Sequence, residues 1–136
     1  MEMKSFNEKI IEEFRANGGK VAMFADYPMV ILHTVGAKSG KTHLVPLVLT
    51  IKDDEMILFA SFAGAKTHPV WVYNLRANPL IDIEIGTEKF SGRVTELSEE
   101  AARSKVQIQA GISDQFSQYV VSAAPRDIPV FIIERI

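Results

Sequence analysis

At 136 residues, with 47% hydrophobic and 24% charged side chains, the chain has the size and mixture of one globular domain, and residues 1–136 read as a single unit. A formal charge of -2 exerts no overall pull toward nucleic acid, so any anion site must be a local concentration of Lys and Arg. The chain has no cysteine, which excludes disulfides, Cys-zinc sites, iron–sulfur clusters and thiolate nucleophiles and suits a cytoplasmic setting.

Glu2, Lys4, Glu8, Lys9, Glu12, Glu13 and Arg15 deny the first twenty residues the apolar core of a signal peptide. Phe6, Ile10, Ile11 and Phe14 share one helical face, which predicts an amphipathic helix over 4–16 stopped by Asn17-Gly18-Gly19. The sequence leaves open whether this helix rests on a membrane. Residues 30–35, 44–51 and 56–61 are rich in β-branched and aliphatic side chains and read as strands, with Asp53-Asp54 turning between the last two. Thr67 is the expected cap of a short helix over 68–77 with Pro69 in its first turn, ended by Asn78-Pro79. Ile81, Ile83 and Ile85 alternate with Asp82 and Glu84 in a half-buried strand, and Gly86-Thr87 turns into its partner at 89–97. Ser98 opens a helix to about 110, Ser113 a second to about 122, and 129–133 is a last strand. This order does not alternate as β-α-β units do. It predicts an α+β domain, mainly antiparallel β, in the form of a barrel with peripheral helices.

Two segments carry chemistry. Gly36-Ala37-Lys38-Ser39-Gly40-Lys41-Thr42-His43 sets two lysines and a histidine in a glycine-punctuated loop able to cradle phosphate or carboxylate. It is no P-loop: Gly36 and Gly40 enclose three residues where that motif needs four, and a strand follows where a helix is required. An exposed basic turn is the plain alternative. The second segment, residues 60–75, packs small residues, Lys66, Thr67, His68 and the only tryptophan into one strand-to-helix crossing, where helix N–H groups could complete an anion site. Taken singly, Thr67 reads as a cap, Trp71 as core and Asn74 as a helix-end residue. Ser61 and His68 lack the elbow and the orienting carboxylate of a hydrolase triad, and His33, His43 and His68 lack metal-ligand spacing. His33 reads as a packed, hydrogen-bonded side chain.

Phe14-Arg15-Ala16-Asn17-Gly18-Gly19-Lys20-Val21, the loop from Gly36 to Lys41 with Pro46-Leu47, His68-Pro69-Val70-Trp71 running into Asn74-Leu75-Arg76-Ala77-Asn78-Pro79, Tyr119, and Arg126-Asp127-Ile128-Pro129-Val130 occur in this order. Together they resemble the deazaflavin-dependent nitroreductase family, also described as coenzyme F420-dependent quinone reductases. The resemblance implies a split β-barrel, related to that of the flavin mononucleotide oxidases, and hydride transfer from reduced coenzyme F420 to a small electron-poor acceptor such as a quinone, enone or nitroaromatic. It implies that Lys38, Ser39, Lys41 and His43 face the coenzyme's phosphate or acidic tail and that Pro46 and Leu47 lie under the deazaflavin. Ser61, Gly64, Ala65, Lys66, Thr67 and His68 would enclose the rest, Trp71 and Asn74 would buttress that wall, and Tyr119 would contact the acceptor. Rival readings on the same barrel are a flavin mononucleotide (FMN)-dependent enzyme and a coenzyme or lipid carrier without turnover. Monomer and homodimer both remain open. Three departures stand out: His43 where the family has arginine, Lys66-Thr67 where it has proline and then a basic residue, and no tryptophan in 98–110. Histidine lacks the two-pronged contact of arginine, which bears on the coenzyme tail.

Overall fold

The computed structural model describes residues 5–136. Helix α1 (Phe6–Ala16) starts at Ser5, whose Oγ accepts the Glu8 N–H at 3.1 Å, and buries Ile10, Ile11 and Phe14. It stops where Gly19, at φ +94°, donates its N–H to the Phe14 carbonyl at 2.8 Å. A side chain on Gly19 would collide with the Gly86 backbone, so the helix stop approaches the Gly86 turn this closely only with glycine at position 19. The Lys4 end of the expected helix lies outside the described residues.

Seven strands form one antiparallel sheet: β1 (Met29–Val35), β2 (Thr42–Val48), β3 (Thr50–Lys52), β4 (Glu55–Phe59), β5 (Leu80–Ile85), β6 (Glu88–Glu96) and β7 (Val130–Arg135), in the order β2-β1-β5-β6-β7-β4-β3. β1 is apolar on both faces because both are covered. Its Met29 and Ile31 meet α1, while Val30 and Leu32 belong to the main core with Leu58, Ile83, Val94 and Phe131.

The expected single strand over 44–51 is two. β2 pairs with β1 at one end of the sheet and β3 with β4 at the other, yet only Leu49 separates them. Two residues of chain reach about 7 Å at most, so the sheet's two ends come together there and the sheet curls. Leu49 is buried at the step and donates its N–H to the Pro28 carbonyl at 2.9 Å.

Helix α2 (Val70–Ala77) packs Trp71, Val72 and Leu75 into the main core, with the Trp71 and Phe131 rings 5.6 Å apart. The expected cap is corrected: Pro69 occupies the N-cap position, no side chain caps the helix, and Thr67 lies two residues upstream. Proline fixes its own φ and steers His68 away from helical geometry, which delays the helix. Helices α3 (Glu99–Ile112) and α4 (Asp114–Ala123) cover the face of β4 and β7 through Ala102, Val106 and Phe116, and Ser98 and Ser113 cap them as the sequence predicts.

Candidate functional site

The Gly36–Lys41 loop closes on itself. The Gly36 N–H donates to the Lys41 carbonyl at 2.8 Å, the Gly40 N–H to the Gly36 carbonyl at 3.0 Å, and the Lys41 N–H to Ser39 Oγ at 3.2 Å. Helix α2 holds it from below: the Ala37 N–H donates to Asn74 Oδ1 at 3.0 Å and Asn78 Nδ2 donates to the Val35 carbonyl at 3.2 Å. Asn74 is buried, so its side chain is committed to this support. Lys38 and Lys41 remain exposed and join no ion pair among the described residues. His43 belongs to β2 rather than to the loop, paired with Thr34, whose hydroxyl donates to the His43 carbonyl at 2.9 Å.

Pro46 pairs with Ile31 on the α1 side, whereas Leu47 pairs with Val30 and packs on the main core. Successive strand residues point to opposite faces. One flat ring therefore cannot rest on both side chains, and only Leu47 shares a face with His43.

After Ala60 the chain enters a left-handed turn at Phe62 (φ +49°), Ala63 (φ +52°) and Gly64 (φ +79°). Such geometry costs a non-glycine residue about 1–3 kcal/mol and persists only where the surroundings enforce it. α4 abuts the turn so closely that a side chain at Gly64 would stand 3.1 Å from Tyr119 Cα. Lys66 donates through Nζ to the Ser122 carbonyl at 2.9 Å and the Ala124 carbonyl at 2.7 Å, so its ammonium caps the C-terminal end of α4. Thr67 is exposed, Ala65 is half-buried, and Trp71 is core.

Arg126, which the sequence presents only as part of the chain's ending, organises this segment. Its Nε donates to the Ala65 carbonyl at 2.9 Å, Nη1 to the Ala60 carbonyl at 3.1 Å and to His68 Nδ1 at 2.9 Å, and Nη2 to the Ser61 carbonyl at 2.8 Å. Burial, then the nearby charge of Arg126 and Arg76, holds His68 below the usual histidine range, against a smaller upward pull from Glu96. Burial likewise lowers Arg126 from the ordinary arginine value.

Two cavities flank the turn. One, of about 310 Å³, is walled by Phe24, Tyr27, Phe59 and Phe116 and brings Ser61, Gln109 and Tyr119 together. Among the described residues, no Asp, Glu, Lys, Arg or His lines it. The other, also about 310 Å³, holds His68 and Arg126 beside the Arg76–Glu96 and Arg103–Asp127 ion pairs over Val106 and Ile128. The expected residues are thus distributed: Ser61 and Tyr119 share the first cavity, His68 faces the second, and the lysine loop is tied to Asn74 of α2.

The model of the family described as F420H(2)-dependent quinone reductase matches residues 7–135. An F420H(2)-dependent quinone reductase of Mycobacterium tuberculosis is 29% identical over 111 residues, which cover 79% of this chain and 74% of that protein. A solved F420-H2 dependent reductase superposes with a TM-score of 0.65 at 31% identity, covering 79% of this chain and 94% of its own. A further structure, described as a domain-swapped dimer, has a TM-score of 0.68 at 28% identity and covers 93% of this chain and 95% of its own.

Proposed function

Because the chain belongs to the F420H(2)-dependent quinone reductase family, we propose that it transfers hydride from reduced coenzyme F420 to a quinone seated between Ser61 and Tyr119. The protein is an oxidoreductase that uses coenzyme F420, and its sheet is the curled antiparallel sheet of the split-barrel-like reductases. One observation carries the placement of the acceptor: the cavity beside Tyr119 is lined by aromatic, aliphatic, hydroxyl and amide groups, with no formally charged side chain among the described residues. Burying an unpaired charge is costly, so this lining favours a neutral, flat acceptor.

The residues present suit a phosphorylated, acidic coenzyme, since Lys38 and Lys41 project free charge from a loop with little room to deform. The bound coenzyme supplies the hydride. Lys38 and Lys41 hold its anionic groups, with His43 at the adjoining end of β2. Leu47 offers an apolar surface, the stretch from Ser61 through Gly64 and Ala65 to Thr67 and His68 forms the wall, Asn74 holds the lysine loop in place, and Trp71 anchors α2 behind it in the core. Lys66 acts on this wall through α4, as its capping ammonium. Tyr119 donates its hydroxyl hydrogen bond to an acceptor oxygen, where negative charge develops as hydride arrives. Enones and nitroaromatics develop charge on oxygen in the same way and fit the same lining.

Among the described residues no helix is long and apolar enough to cross a membrane. We read the domain-swapped relative as support for testing a homodimer of this chain by its mass in solution. The central test mixes purified protein, reduced F420 and a neutral naphthoquinone and follows loss of reduced-deazaflavin absorbance. Protein-dependent oxidation supports the reading. Absence of both coenzyme binding and oxidation across quinones, enones and nitroaromatics overturns it.

A further inference from the structure

We propose that Arg126 is a positioning residue for the coenzyme wall, its single guanidinium clamping the chain on both sides of the left-handed turn at Phe62, Ala63 and Gly64 and holding His68 in one neutral tautomer. The inference rests on the reading that residues 61–68 face the coenzyme.

Four donated hydrogen bonds converge on one short stretch of chain. The carbonyls of Ala60 and Ser61 precede the turn and that of Ala65 follows it, so the guanidinium ties the two ends of the turn together across Phe62, Ala63 and Gly64. Those carbonyls must point away from the turn's outer surface to reach Arg126. The Ser61–Phe62 peptide is thereby held from one side, and the Ser61 and Phe62 carbonyls also accept the Gly64 and Ala65 N–H groups at 2.9 and 3.0 Å, so clamp and turn bonds together keep two non-glycine residues in a conformation that L side chains disfavour. Arg126 pairs with no carboxylate among the described residues, and its neighbour Asp127 is engaged by Arg103. Its charge is answered by the carbonyl dipoles on either side of the turn.

The fourth bond sets the chemistry of His68. Guanidinium has no acceptor, so the 2.9 Å contact between Arg126 Nη1 and His68 Nδ1 requires Nδ1 to accept. The ring proton then resides on Nε2, and a second proton on Nδ1 would displace the bond and set two cations against each other. The other charged groups facing the ring are Arg76 from α2 and Glu96 from β6, which answer one another in an ion pair at 2.8 Å. Beyond them, Arg103 engages Glu99 and Asp127 at the far rim of the cavity. Tyr73 lies beside the ring with centroids 6.0 Å apart. None of these supplies an unpaired carboxylate that would favour the doubly protonated ring. Arg126 thus makes His68 a fixed N–H donor.

The test uses Arg126→Lys and Arg126→Gln, which shorten or neutralise the side chain, with Arg126→Ala kept for rescue by added guanidinium ion. Nitrogen NMR of His68 in the coenzyme-free protein should show one Nε2–H tautomer in wild type and a tautomer mixture in both variants, with protonation at higher pH. F420 affinity should fall about tenfold, with the maximal rate at saturating coenzyme changed less than twofold, and guanidinium should recover affinity in Arg126→Ala. Unchanged His68 signals overturn the proposal. Altered His68 signals with unchanged F420 affinity also overturn it, and Lys38→Ala then separates the causes. If that variant binds F420 weakly, the coenzyme site stands and only the role of Arg126 fails. If it binds normally, the placement of the coenzyme fails as well.

Discussion

Replacing Glu84 by glutamine should loosen α1 from the barrel at neutral pH and have little effect in acid. Glu84 on β5 accepts Arg15 Nε at 3.1 Å and Nη2 at 2.8 Å from α1, and lies 2.7 Å from His33 Nε2 on β1. Its side chain is 14% exposed, whereas that of Arg15 is 48% exposed. Exposed pairs contribute about 0.2–1 kcal/mol and hydrogen bonds to charged groups about 1.5–3 kcal/mol. A half-sheltered, two-pronged pair lies between these, so the loss should be about 1–2 kcal/mol. The hydrogen bond from Arg15, then that from His33, holds the Glu84 carboxyl below the usual glutamate range, against an opposing effect of burial. A lowered folded-state value means that the stabilisation is complete above the unfolded glutamate value of about 4.3 and fades as pH falls through the folded one. Urea unfolding of wild type and Glu84→Gln at pH 7 and near pH 3 measures this directly. A difference that stays constant across that range refutes the electrostatic account and leaves only shape at this contact.

Lys38→Ala and Lys41→Ala should each weaken F420 binding by about 1–3 kcal/mol, the scale of charge-assisted hydrogen bonds, without lowering the melting temperature; calorimetry and thermal unfolding check the two halves. Lys66→Ala should lower the melting temperature by a few degrees, because its ammonium is spent on the end of α4, and thermal unfolding checks this. A neutral naphthoquinone should be reduced with a kcat/KM at least about tenfold above that of its sulfonated analogue, since the uncharged cavity offers the sulfonate no partner. Equal values would move the acceptor elsewhere.

The elements with strong period or caps were legible in the sequence. The apolar stripe of α1, the alternating isoleucines of β5 and the Ser98 and Ser113 caps all fall where local chemistry puts them. The step at Leu49 was not, because a strand that changes partners at opposite ends of a sheet has the same apolar run as one that does not. The delayed start of α2 follows from Pro69, which outweighed the capping tendency of Thr67. In the site, the resemblance makes Asn74 a buttress of the 61–68 wall, whereas it supports the lysine loop, a contact between residues far apart in sequence that no local pattern announces. Arg126 carried no sequence signal of its role, since its partners are mainly backbone carbonyls, which every residue has.

The one-residue step at Leu49 also has a consequence for how the protein behaves in a crowded solution. A sheet closed through a turn of chain, rather than by hydrogen bonds all the way round, retains two free borders onto which a foreign strand could add. On β2 that border contains Pro46, which cannot donate a hydrogen bond, and on β3 it is three residues long and runs out at Lys52 into Asp53 and Asp54. Each border is thus a poor template, and the barrel gains protection from fibril-like stacking at the place where its closure is incomplete.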